Sequence, residues 1–279
     1  MSSKFLLVGA ATAPPIISTG LVQHIDFGDT SSYNDTNNQS SYNTNRIVVG
    51  DLTGNGHTFQ AGMGSIYGVN YTSSGSSGWA TVESSGSKSL VLGPTGTLSG
   101  DYFMLYHNTS PFTGLGTGDY TFEYWINYYR TNGQDEYINF HTDTSDYDFG
   151  WQFQLHQGKI RYRSNVNGTM SVESTSIAPN YGYNGWKHLV ISSISGSVKI
   201  YHNTTNTTTY SYSGNYQKNS WGEPGSTSTG GSIWNGMSMF GDSRYYTGKI
   251  AIIRRYSGKG LTAAEVQNNY DADKARFGL

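Results

Sequence analysis

A chain of 279 residues with 17 basic and 19 acidic side chains is 13% charged, about half the usual share, and its net charge of −2 removes the usual electrostatic footprint of nucleic-acid binding. Zero cysteine excludes disulfide staples, thiolate zinc sites and thiol catalysis. The 23 Tyr and 6 Trp supply burial area in place of scarce aliphatics, and the length suits one all-β domain.

Residues 1–18 open with Lys4 and an apolar run from Phe5 to Ala11, with Ile16 and Ile17 following Pro14-Pro15. As a secretory signal this run is too short, has one preceding lysine, and places proline directly after the cleavage-like Ala11-Thr12-Ala13. The expectation is an N-terminal arm over 1–18 in which Phe5, Leu6, Leu7, Val8, Ile16 and Ile17 dock on their own domain or on a neighbouring subunit. No run approaches about 18 consecutive apolar residues, so no membrane insertion is expected.

Strand-like runs recur at short spacing: Leu21–Phe27, Ser89–Leu92, Tyr102–His107, Tyr120–Tyr129, Tyr137–His141, Trp151–Leu155, Lys159–Ser164, Trp186–Ser193, Val198–Asn203 and Lys249–Tyr256. Gln157-Gly158 and Ser195-Gly196-Ser197 are hairpin signals, so their flanking runs pair antiparallel. Phe122, Tyr124 and Ile126 share one strand face and Thr121, Glu123 and Trp125 the other, which sends one set into an inter-sheet core. Trp186, Leu189 and Ile191 break strict alternation, and a bulge near His188 would restore their register. A helix is expected over 262–276, capped by Thr262 with Glu265 three residues on and stopped at Gly278.

Residues 203–235 carry Tyr210, Tyr212, Tyr216, Trp221 and Trp234 but only Ile233 among branched aliphatics, and are expected to form a long functional loop. Aromatic faces stack on sugar rings while Asn and Ser bond the hydroxyls, which makes these five residues candidates for glycan or partner contact. The competing reading places Tyr210 and Tyr212 on one face of a short strand, simply covering the sheet. Asp143, Asp146 and Asp148 have a spacing that suits calcium; the same residues at a hairpin tip would cap their own backbone amides instead. No other metal site and no cofactor is expected, because the seven His form no paired ligand motif.

Several stretches, in order, resemble one family. Thr19–Asp26 followed by Ser31-Ser32-Tyr33, the turn Asp51-Leu52-Thr53-Gly54-Asn55-Gly56, the strand Tyr120–Trp125, the strand Gly185-Trp186-Lys187-His188-Leu189-Val190, and Gly248–Tyr256 with Leu261–Val266 are similar to segments of the concanavalin A-like (laminin-G-like) lectin/glucanase superfamily. The resemblance implies an all-β, two-sheet antiparallel jelly-roll sandwich over 19–279, with a short C-terminal helix and the N-terminal arm. It departs after Lys199–Asn203, where the family usually turns at once through glycine and this chain is read as inserting the aromatic loop. Retaining glucanases of this fold use Glu-x-Asp-x-x-Glu, and none of the six glutamates here has an Asp two residues on, so no catalytic residue is assigned.

The ending Asn268–Leu279 is similar to endings of structural proteins in tailed, marine-type phages. That likeness implies a non-enzymatic virion protein, a capsid decoration or tail appendage, assembled from the host cytoplasm. Its implied partners are other virion proteins or copies of itself, with weak binding of cell-surface glycans for host adhesion. A free bacterial lectin and a polysaccharide-cleaving enzyme with unrecognised carboxylates are the rival readings.

Overall fold

Alternating side chains along Tyr120–Arg130 set the plan of the molecule, because every second residue must find cover. In the computed structural model, residues 13–32, 47–55, 58–63, 80–82, 88–92, 103–107, 119–130, 136–142, 149–164, 170–177, 182–211, 232–235 and 248–279 are described. The strands are, in chain order, β1 (Leu21–Asp26), β2 (Ile47–Gly50), β3 (Thr58–Met63), β4 (Ala80–Val82), β5 (Lys88–Leu92) and β6 (Phe103–His107). Then come β7 (Tyr120–Arg130), β8 (Glu136–Thr142), β9 (Phe149–His156), β10 (Lys159–Ser164) and β11 (Met170–Ser176). The last are β12 (Gly182–Ile194), β13 (Ser197–His202), β14 (Thr205–Ser211), β15 (Ser232–Asn235) and β16 (Gly248–Ser257). Helix α1 (Ala263–Asp273) and a 3₁₀ turn (Lys274–Phe277) close the chain.

These strands form two antiparallel eight-stranded sheets. Sheet A runs β14-β13-β12-β7-β16-β5-β4 with β1 also on β16, and sheet B runs β11-β10-β9-β8-β15-β6-β3-β2. Between the sheets, Tyr124 meets Phe153 at 5.1 Å between ring centroids, and the Tyr120 and Tyr162 hydroxyls lie 2.8 Å apart. Tyrosine thus fills a core that is short of leucine, and the polar tips of Tyr120 and Tyr162 satisfy each other. Gln157 (φ 49°) with Gly158 (φ 78°), and Ser195 (φ 47°) with Gly196 (φ 78°), are left-handed pairs, the backbone that a two-residue hairpin turn requires.

The opposite face of sheet A is buried too. Trp125, Trp186, Ala251, Ile252 and Phe277 form one cluster there, with Tyr270 against it, and Val190, Tyr201, Tyr256, Leu261 and Val266 form another. Helix α1 is the cover. This explains the broken alternation of β12, since both faces need apolar cover. Its bulge lies between Tyr183 and Trp186, where Gly185 takes φ 76°, and not at His188, which stays in register opposite Trp125. Only glycine enters that left-handed backbone without a Cβ penalty.

Both arms of the capping box form: the Glu265 amide donates to Thr262 Oγ1 at 3.4 Å and the Thr262 amide to Glu265 Oε2 at 2.8 Å. Thr262→Ala is expected to cost about 1 kcal/mol, read as a lower midpoint in urea unfolding with unchanged slope. The helical body ends at Asp273 and tightens into the 3₁₀ turn before Gly278 (φ 72°). Its buried residues are Val266, Asn269 and Asp273, while Ala263 and Ala264 are exposed.

A second correction concerns the long loop expected over 203–235. Asn203, at φ 55°, turns the chain at once into β14, which pairs with β13 from Thr205 to Ser211, and Ser232–Asn235 is β15. Thr205, Thr207, Thr208 and Thr209 favour extended backbone through their branched Cβ, and Asn tolerates the left-handed turn that glycine usually occupies.

Candidate functional site

Polar groups converge in two places, one sealed and one open. The sealed place is the middle of sheet A under α1. Glu123 Oε1 accepts from Arg254 at 2.8 Å and lies 2.9 Å from His188 Nε2. Its Oε2 accepts from Asn269 at 2.7 Å and from the Tyr256 hydroxyl at 3.2 Å. Arg254 also donates to Asp273 at 2.6 Å. Glu123 and His188 are completely inaccessible and Arg254 nearly so.

Burial alone would raise the Glu123 pKa, but the Arg254 charge, then the His188 hydrogen bond and charge, then Asn269, outweigh it and hold the carboxyl at about 2. The Glu123 charge, then the Asp273 charge and hydrogen bond, push Arg254 further up against its own burial, and burial followed by the Glu123 charge raises Tyr256. A carboxylate held this low is a poor proton donor or acceptor near neutrality. Glu123 and Asp273 are bridged by one guanidinium under a helix, whereas a glycosidase acid pair faces space that a sugar can enter. This centre pins α1 to the sheet.

The open place is the outward face of sheet B. Phe153, Leu155, Ile160 and Tyr162 are buried between the sheets, so period two assigns Gln154, His156, Lys159 and Arg161 to the other face, where Gln154 is fully covered, His156 and Arg161 are partly exposed and Lys159 is exposed. A bulge sets their register: Lys159 pairs with Ser176 but Arg161 with Glu173, so Ser174 and Thr175 share the place opposite Ile160, whose amide donates to Ser174 Oγ at 2.8 Å. Arg161 Nε then donates to Glu173 Oε1 at 2.6 Å. Lys159 Nζ lies 3.8 Å from Oε2 and His156 Nε2 4.0 Å from Oε1. In register, Ser171, Arg163, Gln152, Phe140, Trp234 and Met104 make one row across the sheet, and Glu173, Arg161, Gln154 and Tyr137 make the next.

Residues 95–267, more than half of the chain, match a family described as the concanavalin A-like lectin/glucanases superfamily (Laminin_G_3). The chain belongs to that superfamily. Among curated proteins none matches the sequence. Among solved structures, the binding domain of botulinum neurotoxin DC in complex with SialylT is similar at TM-score 0.59 and 14% identity, covering 91% of this chain and 52% of that one. The same domain in complex with rat synaptotagmin II gives 0.58 and 12%, covering 92% and 52%. The binding domain of Paraclostridial Mosquitocidal Protein 1 gives 0.53 and 15%, covering 90% and 52%. At such identity the likeness shows the fold, and this chain spans about half the length of those domains.

Within this superfamily sandwich the residues singled out from sequence fall in three groups. Phe5, Leu6, Leu7, Val8, Asp143, Asp146, Asp148, Tyr212, Tyr216 and Trp221 lie outside the described residues. Tyr210 is on β14 of sheet A and Trp234 on β15 of sheet B, so the fold assigns them to different sheets. Ile17 packs beside Leu261 and Val266, its amide donates to Asn269 Oδ1 at 2.8 Å, and Asn268 donates to the Pro15 carbonyl at 2.7 Å. Residues 13–18 therefore lie on their own domain. Asp51 of the family-like turn accepts from the His24 amide at 2.8 Å and anchors that turn to β1. Sequence reasoning passed over Arg161 and Glu173, because β11 is serine-rich and gave no strand signal.

Proposed function

We propose that this chain is a non-enzymatic, carbohydrate-binding sandwich displayed on a tailed-phage particle as a decoration or appendage protein. The observation that carries the binding half is the contrast between the sheets. The middle of sheet A is covered on both faces and its acid is locked in ion pairs, whereas the outward face of sheet B carries an exposed Lys159 and partly exposed His156, Arg161 and Glu173. Membership of a lectin/glucanase superfamily, and fold likeness to toxin binding domains solved with SialylT or synaptotagmin II, support a role in holding rather than cutting. The virion half rests on the likeness of the chain's ending to phage structural proteins. Seating of residues 13–18 on their own helix favours a self-contained binding unit and leaves residues 1–12 as the docking part of the arm.

A millimolar site contributes only about 4 kcal/mol, so such a module works through repeated display, which adds avidity of about 10² to 10⁴. The protein coupled at high density to beads is expected to bind a subset of a glycan panel, and Trp221→Ala to weaken that binding at least about fivefold with an unchanged melting temperature. Absence of binding to every glycan would overturn the carbohydrate reading, and equal binding by the variant would remove Trp221 from the site. Mass spectrometry of purified particles tests the setting, which falls if the chain is missing.

A further inference from the structure

We infer that Lys187, half-buried on the inter-sheet face of β12, is a nucleophilic amine that captures small aldehydes, the open-chain form of a reducing sugar among them, as an imine. Its place follows from register. Lys187 pairs with Ile126, and Leu189 with both Tyr124 and His202. Tyr124, Ile126 and Leu189 are fully buried on the face turned to sheet B, so Lys187 and His202 share that face. The residues on either side, Trp186 and His188, turn the other way, toward Phe277 and Trp125. The backbone beside the lysine is fixed. The Asn203 amide donates to the His188 carbonyl at 2.7 Å, the His188 amide to Asn203 Oδ1 at 3.1 Å, and Glu123 holds the His188 ring.

Lys187 has apolar and basic neighbours and no acid. On its face β7 brings Ile126 between Tyr124 and Tyr128, β16 brings Ile250 opposite Ile126, and β13 brings His202. Among the described residues no carboxylate answers its charge, whereas Lys159, Lys259 and Lys274 meet Glu173, Glu265 and Asp271 at 3.8, 2.6 and 2.6 Å. Burial therefore acts alone and lowers the Lys187 pKa, while the Asp271 hydrogen bond raises that of Lys274. His202 Nε2 is buried with no hydrogen-bond partner, and burial, then the Lys187 charge, keep that ring neutral. A desolvated lysine beside another basic group sheds its proton readily and becomes a nucleophile. After losing one proton to water, Nζ bonds to the carbonyl carbon and the C=O π pair moves to oxygen. A second proton passes from nitrogen to that oxygen, the first returns to the hydroxyl, and the nitrogen lone pair expels it as water. The protonated imine carries the charge of the ammonium it replaces, and nothing is oxidised or reduced. Capture needs only a carbonyl carbon, so it goes beyond the carbohydrate reading and either can fail alone.

The test treats the full chain with glyceraldehyde and cyanoborohydride, which reduces an imine to a stable amine, and locates the label by peptide mass spectrometry. Near neutral pH, Lys187 is expected to be labelled at least about threefold faster than Lys159, Lys259 and Lys274, and at about pH 10, where those lysines also lose protons, the advantage should narrow. Accessibility alone predicts the reverse order, because Lys159 is exposed and Lys187 half-buried. His202→Glu, which sets a carboxylate on the same face, is expected to slow Lys187 to the rate of Lys159. Lys187→Arg should remove the label and leave the melting temperature in place. Lys187 labelled no faster than the ion-paired lysines, an advantage that does not narrow with pH, or an unchanged rate in a folded His202→Glu variant overturns the inference. Faster reaction with acetic anhydride but not with glyceraldehyde shows an amine closed to carbonyl compounds and ends the proposed capture.

Discussion

Glu123→Gln is expected to destabilise the domain by about 3–5 kcal/mol, the scale for removing one partner of a buried ion pair. Every group around the carboxylate donates: Arg254, Asn269 and Tyr256, with His188 as the fourth neighbour. A carboxamide must turn its NH₂ toward some of these donors, and Arg254 is left with Asp273 alone. The melting temperature should fall about 10 °C at this chain length, and α1, whose Asn269 and Asp273 belong to the network, should exchange its amides faster than the β9–β10 hairpin. Arg254→Met added to Glu123→Gln should recover part of the loss, because the orphaned charge is then gone. A cost below about 1 kcal/mol for the single variant would show that the network does not hold the helix.

The same centre sets the acid limit. The Glu123 pKa is depressed from about 4.5 to about 2, so its contribution, about 3 kcal/mol, is complete above pH 4.5 and is lost as pH falls toward 2. His24, lowered to about 4 by burial and then by Arg254, and His202, lowered to about 4 by burial and then by Lys187, are stabilising while neutral. Their contribution is complete above pH 6.5 and fades toward pH 4. Urea midpoints should therefore decline in two stages on acidification, and Glu123→Gln should remove the lower stage only.

Gly260→Ala is expected to cost about 3 kcal/mol through overpacking. A Cβ at this position would overlap the Ser193 carbonyl oxygen and Ile194 Cγ1, with the Ser193 carbonyl carbon at 2.9 Å. Backbone cannot swing aside as a flexible side chain can. The segment is also tied down on either side: Thr121 Oγ1 donates to the Lys259 carbonyl at 3.1 Å and accepts the Leu261 amide at 2.9 Å, and Ser192 Oγ donates to the Leu261 carbonyl at 2.8 Å. Gly258→Ala two residues earlier meets nothing within 4 Å but sits at φ 66°, so it should cost only the left-handed penalty of about 1–2 kcal/mol. Equal urea midpoints for the two variants would count against close backbone approach as the reason for glycine at 260.

What the amino-acid order determined by itself is local: the period-two strands, the left-handed turns at Gln157-Gly158 and Ser195-Gly196, the Thr262 capping box, and the set of segments that points to the superfamily. Each is settled by neighbours a few residues apart. The run Thr205–Tyr210 escaped because its residues are polar, and a polar strand and a polar loop look alike until β13 supplies the ladder. Arg254-Arg255 is the longest basic run in the chain, yet the fold sends its two members to opposite faces of sheet A and buries both, while Lys159 and Arg161, not adjacent in sequence, share one face with Glu173. Alternation shows that Glu123 lies opposite Phe122 but not what covers it. Its partners His188 and Arg254 are 65 and 131 residues away. Only sheet pairing and the docking of the last helix bring such charges into one dry space, and there their mutual attraction outweighs the cost of losing water.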